Sequence, residues 1–341
     1  MVSKRGISRR RVLATSAAAG GLALGGGIPG VFAQGAARID QLAPELDKII
    51  AATEPIRELA NGLGGALGPV EGPVWWKEGG YLLFSDINAS KRMKYTPGQG
   101  VGVFKDKTNQ ANGLTRDLQG RLLACEHETR RVTRQELDGS LTVIANSFQG
   151  RRLNRPNDVV VKSDDTIWFS DPPFGILGHY EGHKAEQELP GNLYRFDPRT
   201  GQTTVVGGEI EGPNGLAFSP DEKILYVVEC RTNPRRILAY DVLDDGRRLA
   251  NRRILIDAGP GTPDGFRVDE DGNLWCGWGM GDPALDGVMI FSPAGEPIGR
   301  IALPERCANL CFGGVKRNRL FMAASQSIYA LYVNTQGAKC W

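Results

Sequence analysis

Six carboxylate and amide side chains recur along the chain, each at the start of a short apolar run. They lie 41 to 57 residues apart: Glu71, Asn112, Asn157, Asn214, Asp264 and Asn309. Asn and Asp before a strand often only form a turn, and this interpretation stays open for Asn112 and Asn309. Glu71 is a poor turn former but occupies the same place in its repeat, which indicates a role beyond the turn.

Such a set offers carboxylate and amide oxygens without thiolate or imidazole, which makes it a hard-ligand set. It favours Ca²⁺, with Mg²⁺, Mn²⁺ or, less readily, Zn²⁺ as alternatives. The carboxylates of Glu71 and Asp264 would balance the charge of the ion, and Asn157 and Asn214 would add neutral carbonyls. Calcium takes about 6 to 8 oxygens, so four protein ligands would leave positions for water and substrate.

The repeats that carry these residues predict the fold. Each contains an apolar run, an Asp/Gly/Lys turn and a second apolar run, as in "NDVVVKSDDTIWFSDPP" from Asn157. Runs of this kind predict β-hairpins, and further strand-like runs between them give about four strands per repeat, the size of a propeller blade. We therefore predict an all-β, six-bladed β-propeller over residues 55–335, with a β-sandwich or two domains as the alternative. The first strand of each blade would line the central channel and bring the six residues together.

The N-terminal residues carry an export pattern. Residues 1–33 contain a basic start with Arg9 and Arg10, an Ala/Gly/Leu stretch and a small-residue exit, and they resemble a twin-arginine (Tat) signal peptide. An uncleaved membrane anchor is the alternative. The signal predicts export by the Tat machinery to the periplasm or beyond, with no stable membrane association after its removal.

Three shorter segments complete the predicted organisation. Residues 34–54 are an N-terminal extension whose apolar spacing over 38–51 suits a short helix, although Pro44 interrupts it. Residues 55–63 are the candidate strand that closes the ring against the last blade. Residues 336–341 are a C-terminal tail.

Composition excludes some classes of protein. The chain has 41 Lys and Arg against 39 Asp and Glu, a net charge of +2, so it lacks the basic surplus of nucleic-acid binders. Its six cysteines form no C-x-x-C pair of zinc-site type. Most occupy apolar runs, where buried free thiols are expected, and pairing of Cys307 with Cys311 after export stays open. A monomer or dimer is the expected state.

Six fragments, in order, carry a resemblance that spans the mature chain. They read "EGPVW" (71–75), "NGLTRDLQGRLLACEH" (112–127), "RPNDVVV" (155–161), "GPNGLAFSPDEKILYV" (212–227), "TPDGFRVDEDGNLW" (262–275) and "PERCANLCFGG" (304–314). The chain resembles the SMP-30/gluconolactonase/LRE-like family, and its bacterial gluconolactonase branch in particular. The family is similar in fold to the diisopropyl-fluorophosphatase and paraoxonase propellers.

This resemblance implies roles for individual residues. It implies that Glu71, Asn157, Asn214 and Asp264 bind a divalent metal and that Arg155 contacts a sugar lactone. The implied activity is hydrolysis of D-glucono-1,5-lactone to gluconate, a carboxylic ester hydrolysis. Asp264 is the implied general base for water, and direct nucleophilic attack by Asp264 is the alternative.

Polar residues also end the second strands of the first four repeats and predict a second layer: Asp86, Glu126, His127, Asp171 and Glu229. We expect Asp171 to orient metal ligands or contact substrate. His127 is either a proton shuttle or a hydrogen-bonded channel residue. Asn112 is the fourth candidate substrate contact, beside Arg155, Asp171 and His127.

The segment 175–190 contains His179 and His183 and interrupts the third repeat. We expect it to be a lid over the site mouth rather than a second metal site.

Other activities stay open at this stage. The same site chemistry would serve another aldonolactone or a phosphotriester. A non-enzymatic propeller is the alternative outside the enzymes, although a scaffold needs no converging oxygen ligands. The sequence has no G-x-S-x-G elbow, which disfavours a serine esterase.

Overall fold

The computed structural model describes residues 37–65, 68–179, 181–280 and 282–339. Their strands form six antiparallel blade sheets in chain order and one separate two-stranded sheet, and the inner strand of each blade contacts the inner strands of its two neighbours. The last inner strand meets the first, which closes the ring. The prediction of an all-β, six-bladed propeller is therefore confirmed. The Tat-type signal predicted in residues 1–33 lies outside the described residues.

The elements run in the following order. The N-terminal elements and blades one and two comprise β1 Arg38–Gln41, α1 Leu46–Ile49, β2 Arg57–Ala60, β3 Val70–Trp76, β4 Tyr81–Asp86, β5 Lys91–Thr96, β6 Gly100–Asp106, β7 Ala111–Arg116, β8 Leu122–Glu126, β9 Arg131–Gln135 and β10 Leu141–Ala145. A small hairpin and blades three and four comprise β11 Ser147–Phe148, β12 Arg151–Arg152, β13 Val159–Val161, β14 Ile167–Asp171, β15 Asn192–Asp197, β16 Gln202–Gly207, β17 Pro213–Phe218, β18 Ile224–Glu229, β19 Arg236–Leu243 and β20 Arg248–Asp257. Blades five and six comprise β21 Pro263–Val268, β22 Leu274–Trp278, β23 Gly287–Phe291, β24 Pro297–Ala302, β25 Cys307–Gly313, β26 Arg319–Ala324 and β27 Ile328–Tyr332. Short 3-10 turns occupy Phe174–Ile176, Asp244–Gly246 and Pro283–Leu285.

The hairpin of blade three shows how the repeat folds locally. Alternating Val159 and Val161 are buried on β13, as expected for a strand with one face in the core. Asp164 then accepts hydrogen bonds from the backbone N–H of Thr166, at 3.1 Å, and from its hydroxyl, at 2.6 Å. Asp165 adopts a positive φ of 67°. A side-chain-supported turn of this kind returns the chain into β14.

The hydrophobic core lies between neighbouring blades. Trp168 of β14 is fully buried in a cluster with Leu216 and Leu225 of blade four, and the edge of one ring meets the face of the other between Trp168 and Phe218, with ring centroids 5.2 Å apart. Burial of one such large apolar side chain contributes about 1.5–3 kcal/mol. The sheets therefore stabilise each other, and each blade depends on its neighbours.

The two N-terminal strands join blades at the end of the chain. β2 pairs antiparallel with β27 and supplies the outer strand of blade six, which confirms the closing strand predicted in 55–63. β1 pairs with β24 as a fifth strand of blade five. The helix predicted over 38–51 is therefore wrong for 38–41, because Ile39 is buried in the core while its strand covers the open edge of β24. Only Leu46–Ile49 is helical.

Two features near the C-terminus refine the predictions. Residues 336–339 lie against blade five, where Gly337 bridges Asp269 and the N–H of Ala338 donates to the carbonyl of Val268 at 2.9 Å. Cys307 and Cys311 are both buried on the same strand, β25. Four residues along a strand separate them by about 13 Å, which is too far for a disulfide.

Among the described helices, none has the length and apolar character needed to span a membrane.

The packing between blades three and four predicts a large effect for Trp168→Ala. We expect it to lower the free energy of unfolding by about 3–5 kcal/mol, because it leaves a cavity where two sheets meet. Leu137→Ala is the control, since Leu137 is 82% exposed, and it should change stability by no more than about 0.5 kcal/mol. Equilibrium urea denaturation of both variants measures the difference. Equal, small effects would contradict this account of the core.

Candidate metal and substrate site

Bulges place the ring residues at the channel. The register of the first hairpin shifts beside the ring residue in five blades: between Glu71 and Val74, Ala111 and Leu114, Pro213 and Leu216, Pro263 and Phe266, and Cys307 and Asn309. A β-bulge bends its strand and re-aims a side chain. Asn112 and Asn309, for which a simple turn stayed open, therefore lie inside bulged strands, β7 and β25, whereas Asn157 lies just outside its strand, β13.

Glycine follows four of the ring residues, and it allows the inner strands to approach one another. A Cβ at these glycines would lie 2.1 to 2.6 Å from an atom of the next ring residue around the axis. The four are Gly72, Gly113, Gly215 and Gly265. No side chain fits at such a distance, so these glycines are required for close approach rather than for a hairpin turn.

Five of the six ring residues line one cavity of about 530 Å³ at the centre of the propeller: Glu71, Asn112, Asn157, Asn214 and Asp264. All four predicted metal ligands and the candidate substrate contact Asn112 are thus brought together. Asn309 is buried behind them, and its amide donates a hydrogen bond to Glu71 Oε2 at 2.9 Å. Asn309 therefore orients Glu71, a role that its repeat position alone did not reveal.

The electrostatics of this cavity favour a bound cation. Burial, and then the nearby carboxylates of Asp264 and Asp158, raise the pKa of Glu71 to about 8. Burial also raises the pKa of Asp264, although its contact with Arg306 opposes the shift. A divalent cation would relieve both penalties. Among the described residues, no three His, Cys, Asp or Glu side chains are grouped so that they could hold a metal ion, so the candidate donor set is two carboxylates with amides.

Arg306 and Asn214 hold Asp264 in this structure. The Arg306 guanidinium lies 2.6 Å from Asp264 Oδ2, and the Asn214 amide donates to Asp264 Oδ1 at 2.8 Å. Arg306 also lines the cavity. Sequence reasoning missed Arg306, although it stands three residues before Asn309 in a fragment that carries the family resemblance.

The third-blade insertion forms part of the cavity wall, as the lid prediction requires. Gly175, Gly178 and Glu181 of the insertion line the cavity, together with Phe174 immediately before it. Glu181 Oε2 lies 2.9 Å from His127 Nδ1, and His127 Nε2 lies 3.3 Å from the amide nitrogen of Asn112. Sequence reasoning missed Glu181. His127 is buried behind Asn112, where it contacts the Asn112 side chain and does not itself line the cavity.

The two histidines of the insertion have separate surroundings. The rings of His179 and His183 are 6.2 Å apart, and His183 is exposed with Nε2 3.8 Å from Glu128. Neither histidine lines the central cavity, whose wall the insertion forms through Gly175, Gly178 and Glu181. The preference for a lid over a second metal site stays a prediction.

Charges around Glu181 keep its carboxyl ionised. Burial raises the pKa of Glu181, but His127, Arg155 and Arg306 together outweigh this effect, so its pKa lies below the usual range. The insertion is therefore tied to the propeller by contacts among charged and polar groups.

Arg155 and Asp171 lie behind the cavity wall. The Arg155 guanidinium is buried beneath the insertion, where it donates to the carbonyl of His183 at 3.0 Å. Asp171 accepts hydrogen bonds from the backbone N–H groups of Asn154, at 2.8 Å, and Arg155, at 2.7 Å. Asp171 thus fixes the loop that presents Asn157, and contact of Arg155 with a substrate stays a prediction.

The other members of the predicted second layer hold loops in the same way. Asp86 accepts from the backbone N–H of Gly64 at 3.1 Å, and Glu229 accepts from that of Glu211 at 3.1 Å. Each of these loops leads into the inner strand of its own blade. Glu126 differs, because it binds the Arg131 side chain at 2.7 Å.

The fold and site define a β-propeller whose central cavity is lined by carboxylate and amide oxygens from five blades. The chain belongs to the SMP-30/gluconolactonase/LRE-like family, whose model matches residues 69–326. The family resemblance found in the sequence is thus confirmed.

Proteins that are similar in sequence or structure indicate that this chain is an enzyme. A gluconolactonase from Zymomonas mobilis is 31% identical over 323 residues, covering 88% of this chain and 87% of its own. A pentonolactonase from Haloferax volcanii is 26% identical over 257 residues, covering 75% and 81%. The structure of a gluconolactonase from Xanthomonas campestris matches with a TM-score of 0.79 and 32% identity, covering 87% and 94%. The chain is therefore an enzyme of the lactonase class that acts on sugar lactones.

The raised pKa of Glu71 predicts a pH dependence of stability in metal-stripped protein. Its pKa of about 8 lies above the ordinary value of 4.5, so at intermediate pH the folded protein holds a proton that the unfolded chain has released. This stabilisation is complete below about pH 4.5 and is lost as pH rises through about 8. We expect the free energy of unfolding, measured in EDTA, to fall from pH 5 to pH 8 and to fall less steeply in Glu71→Gln.

Glu186→Gln is the control for this experiment, because Glu186 is an exposed glutamate of the insertion. It should keep the wild-type slope. A Glu71→Gln protein with an unchanged slope would show that Glu71 is ionised in the cavity without a metal.

Proposed function

We propose that this lactonase hydrolyses D-glucono-1,5-lactone to gluconate with a divalent cation, Ca²⁺ first among the candidates, held in the central cavity. The observation that carries the proposal is the convergence of two buried carboxyls and three amides from five blades on one cavity. The name of the Zymomonas relative supports the choice of lactone.

The residues present fit such an ion. Glu71, Asn157, Asn214 and Asp264 would hold it, as oxygen donors of the kind that calcium prefers. Asn214 would turn its amide so that the oxygen, rather than the nitrogen that now faces Asp264, points to the ion. When bound, the cation polarises the lactone carbonyl and stabilises the negative charge that develops on its oxygen.

The protein's own residues would do the remaining work. Asp264 takes the proton of the attacking water, since the family places the general base there and Arg306 fixes the carboxylate at 2.6 Å. Asn309 and the bonded N–H of Gly72 keep Glu71 in place through its Oε2 atom. Glu181 of the insertion and Phe174 just before it form part of the cavity wall and would limit the access of water.

A second aldonolactone is the alternative substrate. The Haloferax relative is named for a pentonolactone, and a five-carbon lactone carries the same ester and ring hydroxyls on a smaller frame. The cavity of about 530 Å³ accommodates either ring.

Hydrolysis of D-glucono-1,5-lactone, followed by pH-stat, tests the proposal. The full chain stripped of metal should lose activity and regain it with CaCl₂. Asn157→Ala should lose about 10- to 100-fold in kcat/KM, as is usual when metal-site partners are removed. Asn251→Ala is the control, since Asn251 is exposed on the outer strand of blade four, and it should keep wild-type activity. Full activity in EDTA-treated protein would reject the metal, and no turnover after calcium loading would reject this lactone.

We also propose that the enzyme acts in the periplasm after Tat export, on the evidence of the paired Arg9 and Arg10. Replacing both with Lys should leave the protein in the cytoplasm of a bacterial host, because the Tat machinery reads the arginine pair. Cell fractionation followed by immunoblotting measures this, with the unmodified chain as control. Recovery of the Lys variant from the periplasm would contradict Tat export.

A further inference from the structure

A chain of polar contacts links the insertion to the cavity through His127. Glu181 Oε2 lies 2.9 Å from His127 Nδ1, and His127 Nε2 lies 3.3 Å from the Asn112 amide nitrogen. His127 is 1% exposed and Asn112 is 3% exposed, so these contacts are shielded from bulk water. None of the three is a metal ligand in the proposed function.

The donor and acceptor properties of the three groups allow one arrangement. Asn112 presents its amide nitrogen, which is a donor, to His127 Nε2 at 3.3 Å, so Nε2 accepts and the imidazole proton lies on Nδ1. Nδ1 lies 2.9 Å from the Glu181 carboxylate, which only accepts hydrogen bonds, although the two groups are not aligned as a hydrogen bond in this structure. A neutral imidazole with Nδ1–H has a lone pair on Nε2, which can only accept. The NH₂ group of Asn112 must then face His127, and Asn112 Oδ1 must face away from it.

Asn112 Oδ1 is left as a buried acceptor. It has no hydrogen-bond partner in the structure, and Asn112 lines the cavity. A buried acceptor without a donor is costly, and a ring hydroxyl of a sugar lactone is a donor of the kind required.

We propose that Glu181 is a positioning residue for specificity: through His127 it orients Asn112 so that Oδ1 accepts a hydrogen bond from a ring hydroxyl of the lactone. This inference rests on the proposed function. It assigns Glu181 a role in choosing hydroxylated lactones, in addition to its place in the lid. Removing Glu181 should therefore affect lactones with ring hydroxyls far more than a lactone without them.

The tautomer of His127 is measured first, and without any substrate. The full chain contains three histidines, so ¹⁵N-histidine labelling gives a simple NMR spectrum, and His127→Gln identifies the signals of His127. We expect a protonated Nδ1 and an unprotonated Nε2 near neutral pH. In Glu181→Leu the Nε2 proton should appear, because the acceptor for Nδ1–H is gone. A His127 protonated on both nitrogens would overturn the proposal.

Kinetics then test the consequence for specificity. The ratio of kcat/KM for D-glucono-1,5-lactone to that for δ-valerolactone, which has the same ring size without hydroxyls, should fall about 10- to 100-fold in Glu181→Leu. Glu181→Gln keeps a carbonyl acceptor for Nδ1–H and should retain most of the ratio. Glu186→Leu is the control, because Glu186 is exposed in the same insertion, and it should leave the ratio unchanged.

The outcomes separate the inference from the proposed function. Absence of gluconolactone turnover by the wild-type, calcium-loaded chain would reject the proposed function. It would also reject the lactone hydroxyl as the hydrogen-bond donor to Asn112 Oδ1. Wild-type turnover with an equal loss of both substrates in Glu181→Leu would reject the inference alone, because a general defect of the lid changes both lactones. A fall in the ratio together with the Nδ1–H tautomer supports the inference.

Discussion

The site depends on how closely the six inner strands approach the propeller axis. Gly72, Gly113, Gly215 and Gly265 leave no room for a Cβ against the neighbouring ring residue. Bulges beside the ring residues turn their side chains toward the centre. Five side chains from five blades can therefore meet in one cavity. The hydrophobic packing between blades fixes these distances, so the stability of the fold and the geometry of the site are linked.

The close approach of the inner strands to the axis has an electrostatic cost, which the cation of the proposed function would offset. Two buried carboxyls, Glu71 and Asp264, face the same cavity, and their pKa values are raised. Asn309 and Arg306 offset part of this cost with a hydrogen bond and an ion pair. A cation would remove the rest and would also supply a Lewis acid for ester hydrolysis, as the proposed function has it. The same feature that destabilises the metal-free site thus favours binding and catalysis.

Much of the fold and site could be predicted because they repeat. Six similar hairpins revealed the propeller, and the common position in each repeat identified Glu71, Asn157, Asn214 and Asp264. The repeat pattern cannot identify a functional residue that occurs in only one blade. Glu181 comes from an insertion with no counterpart in the other blades, and its partner His127 lies in a different blade. The strand at Arg38–Gln41 was mistaken for a helix because its pairing partner, β24, is distant in sequence.

The proposed function needs one cation in the central cavity, and calorimetric titration of the metal-stripped full chain with CaCl₂ measures this most directly. The account predicts one ion bound per chain, and a loss of this binding in Glu71→Gln, since Glu71 is one of the two carboxylates that would hold the ion. Asn251→Ala should bind calcium as the wild type does. Absence of binding, or binding that Glu71→Gln leaves unchanged, would contradict the account.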